Sequence, residues 1–351
     1  MERLRSSYGY GSYRGRSKLR TFLTVVIVIL LVVLLLAVAA FFLLQKYIVY
    51  TDDGRARLEL PFLQRQEETA PPVSPSADDV VVVTAEPTPE PREEILRAAA
   101  LPRSALYDGT AADQVAAAGG NAAWFDMKAD DGTLGYVSSL PAAISFGSSD
   151  ANPALNAAIT ALNGGGLYTV ARVSCFRDNL VPRSDMSLAI HTNAGNWRDS
   201  GDTRWLSPAN ESARQYVVGV CRELAALGFD EILLDNWAFP TDGELGWIKA
   251  DANYPADGRT AALEVFLEEV RAGLAEFPEV KVSLVTTASA AAGGAVESGQ
   301  TAALLERADR VLVRLGEGET LPRLNETPVV PVLEQAGQAR EDWAVLAMTG
   351  E

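Results

Sequence analysis

Residues 22–44 carry no charged side chain and a single polar one, Thr24, so 23 consecutive residues would span about 30 Å or slightly more as a helix. A stretch of that length commits the downstream chain to one side of a bilayer. Arg3, Arg5, Arg14, Arg16, Lys18 and Arg20 precede it, and Lys46 and then Asp52 and Asp53 come after it. The positive-inside bias therefore predicts a basic cytoplasmic tail over 1–20, a transmembrane helix over 21–46 and an extracytoplasmic remainder, which makes a single-pass cell-membrane protein. A cleavable signal peptide is the competing reading, because Ala37, Val38 and Ala39 form a small-residue pattern. Apolar sequence continues past that pattern through Phe41, Phe42, Leu43 and Leu44.

The basic tail masks the charge of the rest. Of 30 Lys and Arg and 46 Asp and Glu, residues 1–20 hold six and one, so 24 basic and 45 acidic residues remain, a net of −21. Such a body is a poor partner for nucleic acid. Two cysteines and one histidine leave no material for a zinc finger, a disulfide framework or a multi-histidine cage, and neither cofactor nor metal is expected. Cys175 and Cys221 read as buried thiols and His191 as a loop hydrogen-bonder. Asp126, Asp130 and Asp131 lack the spacing of a calcium loop.

Residues 47–100 read as a juxtamembrane segment, with a hairpin over 51–63, and an acidic linker containing Pro71, Pro72, Pro75, Pro87, Pro89 and Pro91. From residue 101 to 351, short apolar runs alternate with helical stretches, the pattern of βα units on a parallel sheet. Strands are expected at 105–107, 122–127, 167–173, 231–234, 281–286, 310–314, 328–333 and 343–347. Helices are expected at 111–118, 153–162, 211–227, 260–276 and 301–308. Eight strands in this length predict an α/β fold, a (β/α)8 TIM-type barrel reduced at its C-terminal end, since no helix reads between the sixth and seventh strands. A doubly wound open sheet is the alternative, although no GxGxxG or P-loop pattern supports it.

The most informative stretch is CRELAALGFDEILLDNWAFP, residues 221–240. Gly228 ends a helix, and a strand comes next that ends at Asp235. In a parallel barrel the loops after the strands build the active face, which places Asp235 at the mouth. A strand-end hydrogen-bond acceptor is the plainer reading of the same residue. As a solvent-facing aspartate, its replacement by Asn is expected to change stability by less than about 1 kcal/mol.

With NAAWFDMKADDGTLGYVS, GLYTVARVSCFRDNLVPRSDMSLAI and the block from Gly195 to Pro240, the chain resembles a bacterial glycoside-hydrolase-like domain family, first catalogued as a domain of unknown function and related to the α-amylase clan. The resemblance is continuous over residues 121–240. It implies a (β/α)8 barrel, a polysaccharide substrate and a site made of Asp126, Lys128, Arg172, Phe176, Arg177, Asp178, Trp197 and Asp235. Three segments depart from the family pattern. Asn236, Trp237 and Ala238 come after Asp235 where an arginine is usual before Phe-Pro, TTASAAAGGA comes after strand five, and VRLGEGE surrounds Arg314.

Glycoside hydrolysis ordinarily needs two carboxyl groups flanking the bond. The resemblance to the α-amylase clan implies that Asp235 is the nucleophile, kept ionised by Arg172 through charge pairing. The second carboxyl is open among Glu244, Glu297 and Asp126, with Asp242 on the same loop as Glu244. Trp197, Trp205, Trp237 and Trp247 fall within about 50 residues on expected mouth loops, where sugars stack on indoles while residues such as Asn236 and Arg177 take hydroxyls. The expectation is a membrane-anchored extracytoplasmic glycoside hydrolase acting on a polysaccharide. Its alternatives are an inactive glycan-binding barrel of the cell envelope and an assembly scaffold that binds no sugar.

Overall fold

A computed structural model describes residues 48–50, 56–58, 96–293, 296–316, 318–333 and 346–347. The expected tail, transmembrane helix and most of the linker lie outside the described residues. Among the described residues, no helix is long and apolar enough to cross a membrane. The chain divides into two compact units at residue 88. In the first, Ile48–Tyr50 pairs antiparallel with Ala56–Leu58, so the hairpin expected over 51–63 is strands on either side of residues 51–55.

The second unit is a parallel, curled sheet whose strands run in chain order around it. They are β1 (Ala98–Ala100), β2 (Ala122–Lys128), β3 (Tyr168–Ser174), β4 (Glu231–Asp235), β5 (Lys281–Thr287), β6 (Arg310–Arg314) and β7 (Val329–Leu333). The two-residue β8 (Leu346–Ala347) joins β7 to β1 through the pairs Leu333↔Ala347 and Ala347↔Ala99 and closes the ring.

Alternation along the strands sorts side chains between two cores. Ala98, Ala100, Ala122, Trp124, Val170, Leu233, Val285, Leu312 and Val330 pack together inside the barrel. Their neighbours one step along, such as Ala123, Phe125, Ala171, Ile232, Leu234 and Val313, join the larger core with the helices. The alanines of β1 and β2 leave room inside for Trp124. One residue further along the inward series come Asp126, Arg172, Asp235 and Arg314, a charged layer at the strand carboxyl ends. At the opposite end Glu231 is buried and accepts from Tyr168 Oη at 2.7 Å and from Ser283 Oγ, which plugs the barrel floor.

The helices that cover the sheet are α1 (Ala111–Ala117), α2 (Leu155–Asn163), α3 (Glu211–Ala226) and α4 (Arg259–Gly273). Asn210 caps α3 by accepting from Ala213 N at 3.1 Å, and Ala213, Val217, Val220 and Leu224 form its buried stripe. Two expectations need correction. The first strand is Ala98–Ala100, inside the expected linker, whereas Arg103–Leu106 is a 3-10 turn opened by Pro102. The helix expected over 301–308 is the single turn Ala302–Leu305, capped by Thr301. Of the last strand, residues 343–345 lie outside the described residues.

Candidate active site

A cavity of about 450 Å³ opens at the carboxyl ends of the strands, between the loops after β3 and β4 and the ends of β5 and β6. Asp235, Arg172 and Arg314 line its floor, and Asp130, Arg177, Asp199, Trp205, Asn236, Trp237 and Asp242 are among its walls. Asp235 is 1% exposed. Its Oδ2 accepts from Arg172 Nε at 2.8 Å and from Arg314 Nη2, while Oδ1 accepts from Arg314 Nη1 at 3.1 Å and Asn236 N at 2.8 Å. Burial works against its charge, but the two guanidiniums outweigh burial and hold the carboxyl well below the usual aspartate range. The sequence reading of Asp235 as solvent-facing is therefore corrected. It ends β4 pointing inward, and its carboxylate is engaged by Arg172 and Arg314.

Arg172 is shared. Its Nη1 donates to Asp126 at 2.8 Å and its Nη2 to Asp130 at 2.7 Å, with Asp235 Oδ2 at 2.8 Å from the same Nη2. Asp130 and Asp235 thus meet at the same guanidinium nitrogen, at 2.7 and 2.8 Å. Arg177 extends the network to Asp130 and, at 2.6 Å, to Asp199, which also accepts from Trp205 Nε1 at 2.9 Å. Asp130 and Asp199 are both desolvated by burial, yet the arginines beside them keep their carboxyls below the ordinary range.

Asn236 has φ of +49°, the left-handed region that asparagine tolerates better than most residues. That turn brings its side-chain amide to Asp130 at 3.1 Å and Ser174 Oγ at 2.9 Å, immediately beside Asp235. Asn236 thus knits the loop onto the acidic network. Asp242 lines the cavity with the Ser200 hydroxyl as its hydrogen-bond donor, and no ion pair is formed by it among the described residues.

The structure separates the other expected residues. Lys128 and Asp178 are fully buried and form an ion pair of 2.8 Å beneath the mouth, outside the cavity lining. Burial opposes the lysine's charge, but Asp178 prevails and raises Lys128 above its ordinary range. Asp178 Oδ1 also accepts from Leu180 N and Val181 N, so this pair anchors the loop after β3. Phe176 is core, packed edge-on against Phe266 at 4.8 Å between ring centres. Trp197 is buried and donates to Glu244 O at 3.1 Å, tying the two mouth loops together. Trp205 and Trp237 line the cavity, and Trp237 Nε1 is held by Val285 O at 2.9 Å. Trp247 is 71% exposed and lies outside the lining. Glu244 and Glu297 are exposed and do not line the cavity. Asp126 reaches the site only through Arg172. His191 bridges to Asp251 at 2.9 Å, and both cysteines are buried and free. Among the described residues no cluster of three metal-ligating side chains occurs.

A family model described as "Putative glycosyl hydrolase domain" matches residues 110–307. The chain belongs to this family. The matched region of this glycosyl hydrolase domain holds the whole cavity except Arg314. No curated protein matches the chain. Among solved structures, a hypothetical protein from Ruminiclostridium thermocellum ATCC 27405 is 25% identical with a TM-score of 0.45, covering 53% of this chain and 95% of that one. The glycoside hydrolase domain of PelA from Pseudomonas aeruginosa is 13% identical with a TM-score of 0.36, covering 62% and 66%. The α-galactosidase TtGalA from Thermus thermophilus, in complex with p-nitrophenyl α-D-galactopyranoside, is 14% identical with a TM-score of 0.39, covering 62% and 41%.

Sequence reasoning missed Arg314, Asp130 and Asp199 as site residues of this glycosyl hydrolase domain. Arg314 was legible: with Leu312 inside the barrel, alternation sends Arg314 to the same side. Asp199 left a weaker trace, since its Oδ1 accepts from Gly201 N and Thr203 N, a side-chain turn that favours Asp at that position.

Proposed function

We propose that this chain is a glycoside hydrolase whose nucleophile is Asp235, acting on a polysaccharide outside the membrane to which residues 21–46 anchor it. The observation that carries the reading is a carboxylate ion-paired to two arginines on the floor of a cavity at the barrel mouth, with Trp205, Trp237 and hydrogen-bonding groups in its lining. A carboxylate nucleophile must be unprotonated, and Arg172 keeps Asp235 so while fixing its orientation. Attack on the anomeric carbon would form a glycosyl ester as the leaving oxygen takes a proton. Asp130 and Asp199 are committed to arginines as ionised groups, so the proton donor assigned is Asp242, the cavity carboxyl without an ion-pair partner among the described residues. Water then cleaves the ester with the same residue as base.

The full chain in detergent is incubated with a panel of neutral and amino-sugar polysaccharides, and new reducing ends are measured. Release by the wild type, lost in Asp235→Asn and in Asp242→Asn while both variants melt cooperatively, is the expected result. One observation favours a second reading: both oxygens of Asp235 are already engaged by guanidiniums. Glycan binding without release of reducing ends would establish that reading, a barrel that holds sugar without cleaving it.

A further inference from the structure

Two arginines contact Asp235, and they are held differently. The Arg172 side chain is 11% exposed and also carries Asp126 and Asp130, so it has three carboxylates to leave. The Arg314 side chain is 46% exposed, and Asp235 is its partner for ion pairing among the described residues. Water can hydrate a half-exposed guanidinium as it departs, so breaking that pair is far less costly than breaking the buried one. Arg314 also ends β6 and leads into a connection without a helix among the described residues of 315–328, so no packed helix fixes its end of the strand.

Asp235 is too covered to meet a sugar ring unless some neighbour moves. Arg172 and Asn236 also bond groups other than Asp235, whereas Arg314 is ion-paired to Asp235 alone among the described residues. We propose that Arg314 is a displaceable cover, seated on Asp235 in the empty mouth and swung toward solvent when a sugar ring enters, so that occupancy of the cavity and exposure of the carboxylate are coupled. Arg172 and the Asn236 N–H remain on Asp235 throughout and keep it oriented. Arg314 is then a positioning residue that acts through Asp235. This inference rests on Asp235 being the nucleophile.

A set of cyclitol epoxides that differ in ring-hydroxyl configuration, conduritol B epoxide among them, tests both without knowledge of the natural sugar. A carboxylate oxygen attacks a ring carbon, a C–O ester bond forms as the epoxide C–O bond breaks, and the epoxide oxygen takes a proton from a mouth carboxyl or water. The full chain in detergent is labelled, the ester is located by peptide mass mapping, and the second-order rate is measured on the upper plateau of its pH profile, where Asp235 is ionised in every variant. The wild type is expected to be esterified at Asp235. Arg314→Met and Arg314→Gln should label at least about fivefold faster, because the covered state no longer reduces the competent fraction, and Arg314→Lys should fall between. Equal or slower labelling at Asp235 in both neutral variants, each with a cooperative thermal melt, overturns the cover and leaves the nucleophile standing. Absence of an Asp235 ester in all four proteins overturns the nucleophile, and the cover with it.

Discussion

Asp235 and Lys128 are both buried ions, and each depends on its partners in a different way. Replacing Asp235 by Asn removes the charge that Arg172 and Arg314 share, and a loss of about 3 kcal/mol of unfolding free energy is expected from urea titration rather than the small change its sequence position suggested. Lys128→Met strands Asp178 in the interior, with an expected loss of about 3–5 kcal/mol by the same measurement. Acid should act on the same groups. The folded-state values of Asp130, Asp199 and Asp235 are lowered, so their contribution is complete above the unfolded aspartate value of about 3.9 and is lost as pH falls toward the folded values. The urea midpoint should therefore drop steeply below about pH 4, and less steeply in Asp235→Asn.

At the scale of elements, the strands were easier to read than the depth of the side chains they carry. Most strand positions were legible because short apolar runs alternating with helical stretches leave few alternatives to a parallel sheet. The first strand was not, since Ala98, Ala99 and Ala100 carry little hydrophobic signal and their smallness has meaning only beside Trp124 inside the barrel. Sequence also could not tell which aspartates meet which arginines, because Asp126, Arg172 and Asp235 come together only when three strands are laid side by side. Loops obey similar logic. The segment after β2 is pinned by Glu223 on α3, which accepts from Tyr136 Oη at 2.9 Å, from Ser139 N at 2.7 Å and from the Ser138 and Ser139 hydroxyls. Glu223→Ala should cost about 2–3 kcal/mol, read by denaturant melts. Gly132, at φ of +93°, lies where an added Cβ would overlap Asp178 Oδ1, so Gly132→Ala should lower the melting temperature by disturbing the Lys128 pair.

For the whole molecule, a closed parallel barrel supplies a rigid floor on which arginines and carboxylates are held while two tied loops wall the cavity. The anchor proposed from residues 21–46 predicts that the chain stays with carbonate-washed membranes and that protease added outside spheroplasts digests the barrel unit. Retention of an intact, protected barrel would reverse the proposed orientation. The central claim, that a glycan enters the mouth over Asp235, is tested most directly by hydrogen exchange on the full chain with and without members of the polysaccharide panel. A binding glycan should slow exchange in the segments around 197–205 and 235–242, which wall the cavity. Protection confined to surfaces away from those two segments, with the mouth exchanging as in the free protein, would contradict the account.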